Sequence, residues 1–238
     1  MRNTTGRRLR PSTRSLALAL SLVAPRLAVA HDLWVAREGG ELVLRLGHEG
    51  QVVGIDASRV TTMRCVQDGA GRDLRSSASV TPQELRVAAR CDALSARFDG
   101  GFWTLTPDGE KNLPKSQVPD AVRSWASRQF AKWIDARAPQ ASRPLGDELE
   151  IVPADDLSRA REGDKIAVRV LVDGKPAPGA IVSVGHKTIG ETDRRGEVRL
   201  RIRSKSLETV GATVRRPLAS RDADTLVLEA TLSFEVAR

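Results

Sequence analysis

The stretch Lys165–Pro176 (KIAVRVLVDGKP) decides the fold class, because it joins an apolar, β-branched run to a turn signal. Val, Ile and Leu favour strands, and Asp-Gly followed by Lys-Pro is typical of a tight turn. Further runs of this kind lie on both sides of it: Leu149–Val152, Ala180–Val184, Glu197–Arg203, Thr209–Val214 and Leu226–Val236. Strands at this spacing predict an immunoglobulin-like or transthyretin-like β-sandwich over residues 144–238.

The preceding segment, residues 31–143, also reads as mainly β. Short alternating runs are separated by Gly and Asp clusters such as residues 68–71, which predict hairpins: Glu41–Leu46, Arg59–Val66, Glu84–Val87, Ala96–Phe98 and Gly101–Leu105. One stretch differs. Over residues 119–136 the apolar side chains recur at spacings of three and four, and Pro119 suits a first helical turn, so we predict an amphipathic helix there. The Pro-containing connector 138–144 predicts a domain boundary near residue 143.

Residues 1–30 have the three parts of a secretory signal. A basic, acid-free start precedes the apolar run Leu16–Ala24, and Ala28-Val29-Ala30 is the small-x-small pattern of a cleavage site. The apolar run is too short to span a bilayer, which takes about 20 residues. We therefore predict a cleavable signal peptide over residues 1–30, a location outside the cytoplasm, and a mature chain without a transmembrane segment.

The basic character of the chain is concentrated in this leader. The whole sequence has 38 Lys+Arg against 30 Asp+Glu, and six of the Arg residues lie among the first 30 positions. The remainder therefore has 32 basic and 30 acidic residues and a net charge of +2. A pI well above 9 often indicates a nucleic-acid partner, but here the excess belongs to the targeting segment. We expect no nucleic-acid binding.

The two cysteines, Cys65 and Cys91, are 26 residues apart in the segment predicted to be exported. In an oxidising compartment such a pair predicts a disulfide. A thiolate metal site is the alternative interpretation.

The three histidines, His31, His48 and His186, are the main candidates for chemistry. Cleavage after Ala30 would make His31 the amino terminus, where the α-amine and imidazole Nδ1 can chelate one metal ion in a six-membered ring. Such nitrogen ligands favour nickel, cobalt, copper or zinc over magnesium or calcium. His48 follows the first clear strand and could add an imidazole, and Asp32 could add a carboxylate. The alternative is that each histidine is an ordinary polar residue, which we take as the first interpretation of His186.

Enzyme motifs are absent from the sequence. It has no G-x-S-x-G, no H-E-x-x-H, no P-loop and no Rossmann glycine pattern. We therefore expect a protein that is not an enzyme.

Several motifs resemble, in their order, a family of periplasmic nickel- and cobalt-uptake accessory proteins that was once catalogued as a domain of unknown function. The resemblance rests on these residues: Ala30–Val35 (AHDLWV), Gly47-His48, Gly101–Thr104 (GFWT), Lys111-Asn112, Ser124–Ser127 (SWAS), Lys132-Trp133, Pro144–Pro153 (PLGDELEIVP), Gly163–Lys165, Gly174–Pro176, Thr192–Gly196 and Leu232–Val236. One departure is that Glu49-Gly50 follows His48, with no second histidine nearby.

The resemblance implies a non-catalytic, metal-binding protein that assists nickel or cobalt uptake by inner-membrane transporter components. His31, His48 and Asp32 would be its metal site. Two alternatives stay open from the residues alone. One is a periplasmic copper carrier that uses the same ligands, because copper outcompetes nickel at most nitrogen sites. The other is an adhesion or carbohydrate-binding sandwich without a metal, for which an exposed aromatic platform around Trp34 or Trp103 would be the sign.

Overall fold

The structure, a computed structural model, describes residues 31–48, 50–185 and 187–237 and leaves the side chain of His48 undescribed. The signal peptide predicted over residues 1–30 lies outside the described residues. The described part of the chain is almost entirely β. Its strands are β1 Asp32–Glu38, β2 Glu41–His48, β3 Gln51–Val53, β4 Val60–Gln67, β5 Ala70–Asp73, β6 Ser79–Val80, β7 Glu84–Val87, β8 Ala93–Thr106, β9 Gly109–Lys111, β10 Arg123–Ile134, β11 Leu149–Pro153, β12 Lys165–Val172, β13 Lys175–Pro176, β14 Ile181–Val184, β15 Lys187–Glu191, β16 Glu197–Arg201, β17 Leu207–Pro217 and β18 Thr225–Glu235.

Helical structure in the described residues consists of three single 3₁₀ turns: Ala57–Arg59, Arg75–Ser77 and Lys115–Gln117. The described residues contain no helix that is both long and apolar enough to cross a membrane.

The strands form three sheets, which together make a β-sandwich fold. A central sheet has the order β15-β14-β17-β18-β10-β8-β4-β5, with β9 paired to β8. The first outer sheet has the order β1-β2-β7-β6, with β3 on β2, and the second has the order β11-β12-β13, with β16 on β12. Each outer sheet covers its own apolar core against the central sheet. The prediction of a mainly β protein with a sandwich is confirmed.

The strand β10 contributes to both cores. Ala131 and Trp133 face the core under the first outer sheet, whereas Phe130 and Ile134 face the core under the second. Because side chains alternate along a strand, a strand buried on both faces is apolar at odd and even positions alike.

The helix predicted over residues 119–136 is therefore wrong, since this region contains the strand Arg123–Ile134. Its apolar residues recur at spacings of three and four because adjacent positions of this strand are buried in two different cores. Such short apolar runs do not distinguish a buried strand from a buried helix by period alone.

The central sheet also joins the two predicted domains. β10 pairs in parallel with β18, with Gln129 opposite Glu229 and Ala131 opposite Thr231. The boundary predicted near residue 143 falls in the connector between β10 and β11, while hydrogen bonding continues across the sheet from one part to the other. The structure therefore joins the two segments through shared strands.

Cys65 and Cys91 form a disulfide, with a Cα–Cα distance of 5.5 Å, as predicted. Cys65 lies in β4, and Cys91 lies just before β8, the strand with which β4 pairs. Both cysteines are buried in the core between the first outer sheet and the central sheet. Among the described residues no free cysteine remains.

Candidate functional site

The pairing of β1 with β2 determines where the predicted metal ligands lie. In this antiparallel ladder Asp32 is opposite Gly47, and Trp34 is opposite Arg45. One step further in the same register would place His31 opposite His48. Directly opposite Cα atoms of antiparallel strands are about 4.5–5.5 Å apart. The backbone positions of two histidines that are distant in sequence therefore meet at the end of this sheet.

Gly47 allows the chain to turn sharply at this point. Its φ is 137°, and a Cβ at this position would lie 2.3 Å from the carbonyl oxygen of Gln51. The chain then returns through β3, with Gly47 opposite Val52 and His48 opposite Gln51. Any side chain at position 47 would collide with the β3 backbone, so the Gly-His motif fixes the shape of this corner.

A cleft of about 700 Å³ opens beside this corner. One wall comes from β1, β2 and β3 and includes Asp32, Gly47 and Gly50, and the opposite wall comes from the β14–β15 turn and from the chain leading into β17. Gly185 of the β14–β15 turn is in that opposite wall. In sequence, His31 precedes Asp32, His48 follows Gly47, and His186 follows Gly185.

Each of the three histidines of the chain is thus the immediate sequence neighbour of a residue that lines the cleft. His186 and the side chain of His48 lie outside the described residues, so the convergence that the structure describes is that of the backbones at positions 31 and 48. His31 itself is exposed, and Asp32 is partly buried.

Behind the start of β1 lies a polar cluster that sequence reasoning missed. Gln129 of β10 is 8% exposed, and its Nε2 donates to the carbonyl oxygen of His31 at 2.9 Å and to Glu229 Oε2 at 3.3 Å. Thr231, two residues after Glu229 in β18, donates from Oγ1 to the carbonyl oxygen of Leu33 at 2.5 Å. The available signal was the polar interruption of apolar strands, namely Gln in the run Trp125–Ile134 and Glu in Leu226–Phe234.

Glu229 is held in an unfavourable environment for a charged carboxylate. Burial raises its pKa to about 7, and the nearby negative charge of Asp32 acts in the same direction. The hydrogen bond from Gln129 and the positive charge of Arg215 partly offset this rise. The start of β1 is thus flanked by two carboxyl groups close enough to affect each other, a setting that favours a cation.

The described side chains alone do not complete a metal site. Among them no group of three or more His, Cys, Asp or Glu is arranged to hold an ion. The donors that the sequence offers at or next to cleft-lining positions are the imidazoles of His31, His48 and His186, the carboxylate of Asp32, and the amine that cleavage would expose. Imidazole with carboxylate suits zinc, nickel, cobalt or copper better than magnesium or calcium.

The opposite end of the same wall is already neutralised. Arg45, which lines the cleft, makes ion pairs with Glu38 and Glu84, and both carboxylates also pair with Arg86, so two positive charges face two negative ones. The Glu38 hydrogen bond raises the pKa of Arg45, while burial opposes this rise. This end of the cleft therefore has little net charge to offer a ligand, which leaves the Asp32 end as the candidate cation site.

The family model described as "Domain of unknown function (DUF4198)" matches residues 28–208. The chain belongs to this family. No curated protein matches the chain. The DUF4198 match includes His31, Asp32, His48 and His186, and it ends within β17, before β18 begins. Glu229 and Thr231, which support the start of β1, therefore lie outside the DUF4198 match.

A second surface feature of this DUF4198 protein is an aromatic pair on β8 and β10. Trp103 is directly opposite Trp125, with ring centroids 6.4 Å apart and planes 10° from parallel. Both rings are partly exposed, and the guanidinium of Arg123 lies 5.7 Å from the centre of the Trp125 ring. Partly exposed indoles with parallel planes offer ring faces on which a flat apolar ligand face can stack.

Proposed function

We propose that this protein binds a divalent transition-metal ion at the corner of β1 and β2, in the periplasm, and assists nickel or cobalt uptake by an inner-membrane transporter. The observation that supports the proposal most is the β1–β2 register, which brings positions 31 and 48 to neighbouring places. The choice of nickel or cobalt, and of a transporter as partner, comes from the motif resemblance that begins with His31-Asp32-Leu33-Trp34.

In the proposed site, His31 supplies its α-amine and imidazole, His48 supplies a further imidazole, and Asp32 supplies a carboxylate. An α-amine has an ordinary pKa near 8, and metal competes with the proton, so the amine can ligate at neutral pH. His186 is a further candidate donor, because Gly185 next to it lines the far wall of the same cleft. A site built across a cleft from separate strands would load and release cargo without unfolding of either sheet.

Calorimetric titration of protein that begins at His31, with nickel, cobalt and copper in turn, tests the proposal. We expect binding at micromolar affinity or tighter, and we expect His31→Ala or His48→Ala to weaken it by about tenfold or more, because each removes a metal–nitrogen bond. Asp32→Asn should weaken binding less. Asp120→Asn, a change of the same kind at an exposed loop position, is the matched control and should leave affinity unchanged.

The absence of nickel, cobalt and copper binding in the correctly processed protein would remove the proposal. A competition titration of the same sample with nickel and copper distinguishes a nickel-uptake accessory protein from a copper carrier, because it shows which ion the site prefers. Retention of Ala30 at the amino terminus is a further control, because it replaces the α-amine of His31 by a peptide nitrogen.

The Trp103–Trp125 pair favours a second candidate function, the carbohydrate-binding sandwich without a metal. Sugar rings present flat C–H faces that stack on accessible indoles. This candidate predicts glycan binding that is lost in Trp125→Ala and kept in the double variant His31→Ala/His48→Ala. The opposite pattern would leave metal binding as the better explanation.

A further inference from the structure

An unused hydrogen-bond acceptor lies beside the backbone of His31. The Oε1 atom of Gln129 is buried and has no hydrogen-bond partner among the described residues, although the Nε2 atom of the same amide makes two bonds. A buried polar atom without a partner costs about 1–3 kcal/mol, so native proteins rarely keep one without a reason. One of the two Nε2 bonds goes to the carbonyl oxygen of His31.

The nitrogen of His31 is a candidate partner, because it belongs to the residue whose carbonyl oxygen Gln129 already contacts. In an extended chain the N–H and C=O of one residue point to the same side, which is why facing residues can exchange both bonds. Since Gln129 contacts the carbonyl oxygen of His31, the nitrogen of an extended His31 is directed to the same side as the Gln129 side chain. In an uncut chain that nitrogen is a neutral peptide N–H with a single fixed direction.

The same place also has a charge imbalance. Glu229 accepts a hydrogen bond from Gln129, but among the described residues no basic side chain lies within ion-pair distance of it. Asp32 and Arg215 are the other charged groups that act on Glu229, one raising and one lowering its proton affinity. A positive charge placed beside Gln129 would therefore be stabilised by the carboxylate of Glu229.

We propose that Gln129 and Glu229 form an acceptor site for the α-amino group of His31, which becomes available when the chain is cut after Ala30. The amine donates one N–H to Gln129 Oε1 and lies beside the carboxylate of Glu229. Both are positioning residues, because they hold the amine and do not themselves ligate metal. The inference rests on the cleavage and the amine ligand of the proposed function, and it adds how that amine is oriented.

Such an arrangement is compatible with metal-free and metal-bound states alike. A protonated α-amine has three N–H donors and a metal-bound amine keeps two, so in either state donors remain for Gln129 and Glu229. Acceptors of this kind orient a ligand nitrogen in the way that carboxylates orient metal-bound histidines. Processing would thus do more than remove a leader, because it would complete the start of β1 and the metal site together.

The experiment compares two amino termini in metal-free protein, one beginning at His31 and one that keeps Val29-Ala30. Each is made in the unmodified sequence and with Glu229→Gln, and unfolding by denaturant is measured at pH 7.5. In the unmodified sequence we expect the extension to raise the unfolding equilibrium constant by about tenfold, because a charge-assisted hydrogen bond is lost. With Glu229→Gln we expect the extension to change it less than twofold.

Glu235→Gln is the control on the same strand, because Glu235 lies exposed at the end of β18 and accepts a hydrogen bond from Trp133 Nε1 instead. In that variant the extension should still raise the unfolding equilibrium constant about tenfold. Gln129→Met is a second variant, in which the effect of the extension should also largely disappear. An extension effect of the same size with and without Glu229 overturns the inference, as does the absence of any effect in the unmodified sequence. Because no metal is added, these results are independent of whether the protein binds nickel.

Discussion

Two buried polar clusters lie on opposite faces of the same strand, β10, and they differ in how completely they are paired. On one face Lys132 donates to Glu150 Oε1 at 2.7 Å and to the carbonyl oxygen of Arg143 at 2.9 Å. Glu150 also accepts from the backbone N–H groups of Leu145 and Gly146. On the other face Gln129 leaves its Oε1 atom without a partner among the described residues.

The difference separates a structural cluster from a candidate functional one. The Lys132 cluster ties the connector before β11 to the central sheet, and its two side chains are 3% and 2% exposed. Burial lowers the pKa of Lys132, and Glu150 opposes this shift. Such a cluster is complete within the fold and has no role left for a ligand. The Gln129–Glu229 cluster lies behind the start of β1 and has capacity to accept another donor.

The largest expected effect comes from removal of the cation in the complete cluster. Lys132→Met should destabilise the protein by about 3–5 kcal/mol, because Glu150 would stay buried without its counter-charge. Gln129→Met, three residues earlier on the opposite face, should cost only about 1 kcal/mol, because loss of two hydrogen bonds is offset by removal of an unpaired oxygen. Denaturant unfolding of both variants measures the contrast. Equal costs would show that the two clusters are energetically alike.

A smaller effect is expected from Asp147, at the edge of the Lys132 cluster. Burial, together with the charge of Glu150, raises its pKa to about 6 from an ordinary 3.8. A raised carboxyl pKa means that folding favours the protonated form, so this contribution is complete below about pH 4 and is lost as pH rises through 6. Asp147→Asn should therefore stabilise the protein by about 1–3 kcal/mol at pH 8 and hardly at all at pH 4.

Urea unfolding at a series of pH values checks this prediction, with Asp120→Asn as the exposed control. A parallel shift of the Asp147→Asn curve at every pH would contradict it, because that would point to packing instead of charge.

The smallest effect concerns two buried threonines that make similar hydrogen bonds. Thr231 donates to the carbonyl oxygen of Leu33 under β1, and Thr104 donates to that of Leu113 at 2.8 Å, away from the cleft. Replacement of either by Val should cost about 1 kcal/mol of stability. Only Thr231→Val should also weaken nickel binding, because only Thr231 supports the start of β1. If both variants bind nickel as the unmodified protein does, the support of β1 has no part in the site.

Much of the fold could be predicted from local pattern. Strands with one buried face alternate clearly, as Glu84–Val87 does, and turns such as Asp68-Gly69 and Asp173-Gly174 have the positive φ angles that their sequences favour. The region around β10 was predicted wrongly because burial on two faces removes the alternation. The pairing of β10 with β18 could not be read from the sequence, since nothing local specifies a partner about a hundred residues away.

The candidate site could be predicted only in part. His31, Asp32 and His48 were found because histidines are rare in this chain and lie at motif positions, and the Cys65–Cys91 disulfide followed from the cysteine count. Gln129 and Glu229 were missed because their role depends on which strands lie behind β1. A single Glu within an apolar strand signals that something polar faces it, but the sequence does not say what that is.

The position of β18 between β10 and β17 has a consequence for how the molecule is made. A chain that is made from its amino terminus delivers β10 long before residues Thr225–Glu235 emerge, and until then β10 and β17 each have an open edge. The central sheet is therefore completed last, when β18 is added between β10 and β17. A fragment that ends at residue 208 would lack β18 and most of β17, which form the middle of this sheet. Strand edges that are exposed during that interval are the places where the chain would be most prone to aggregate.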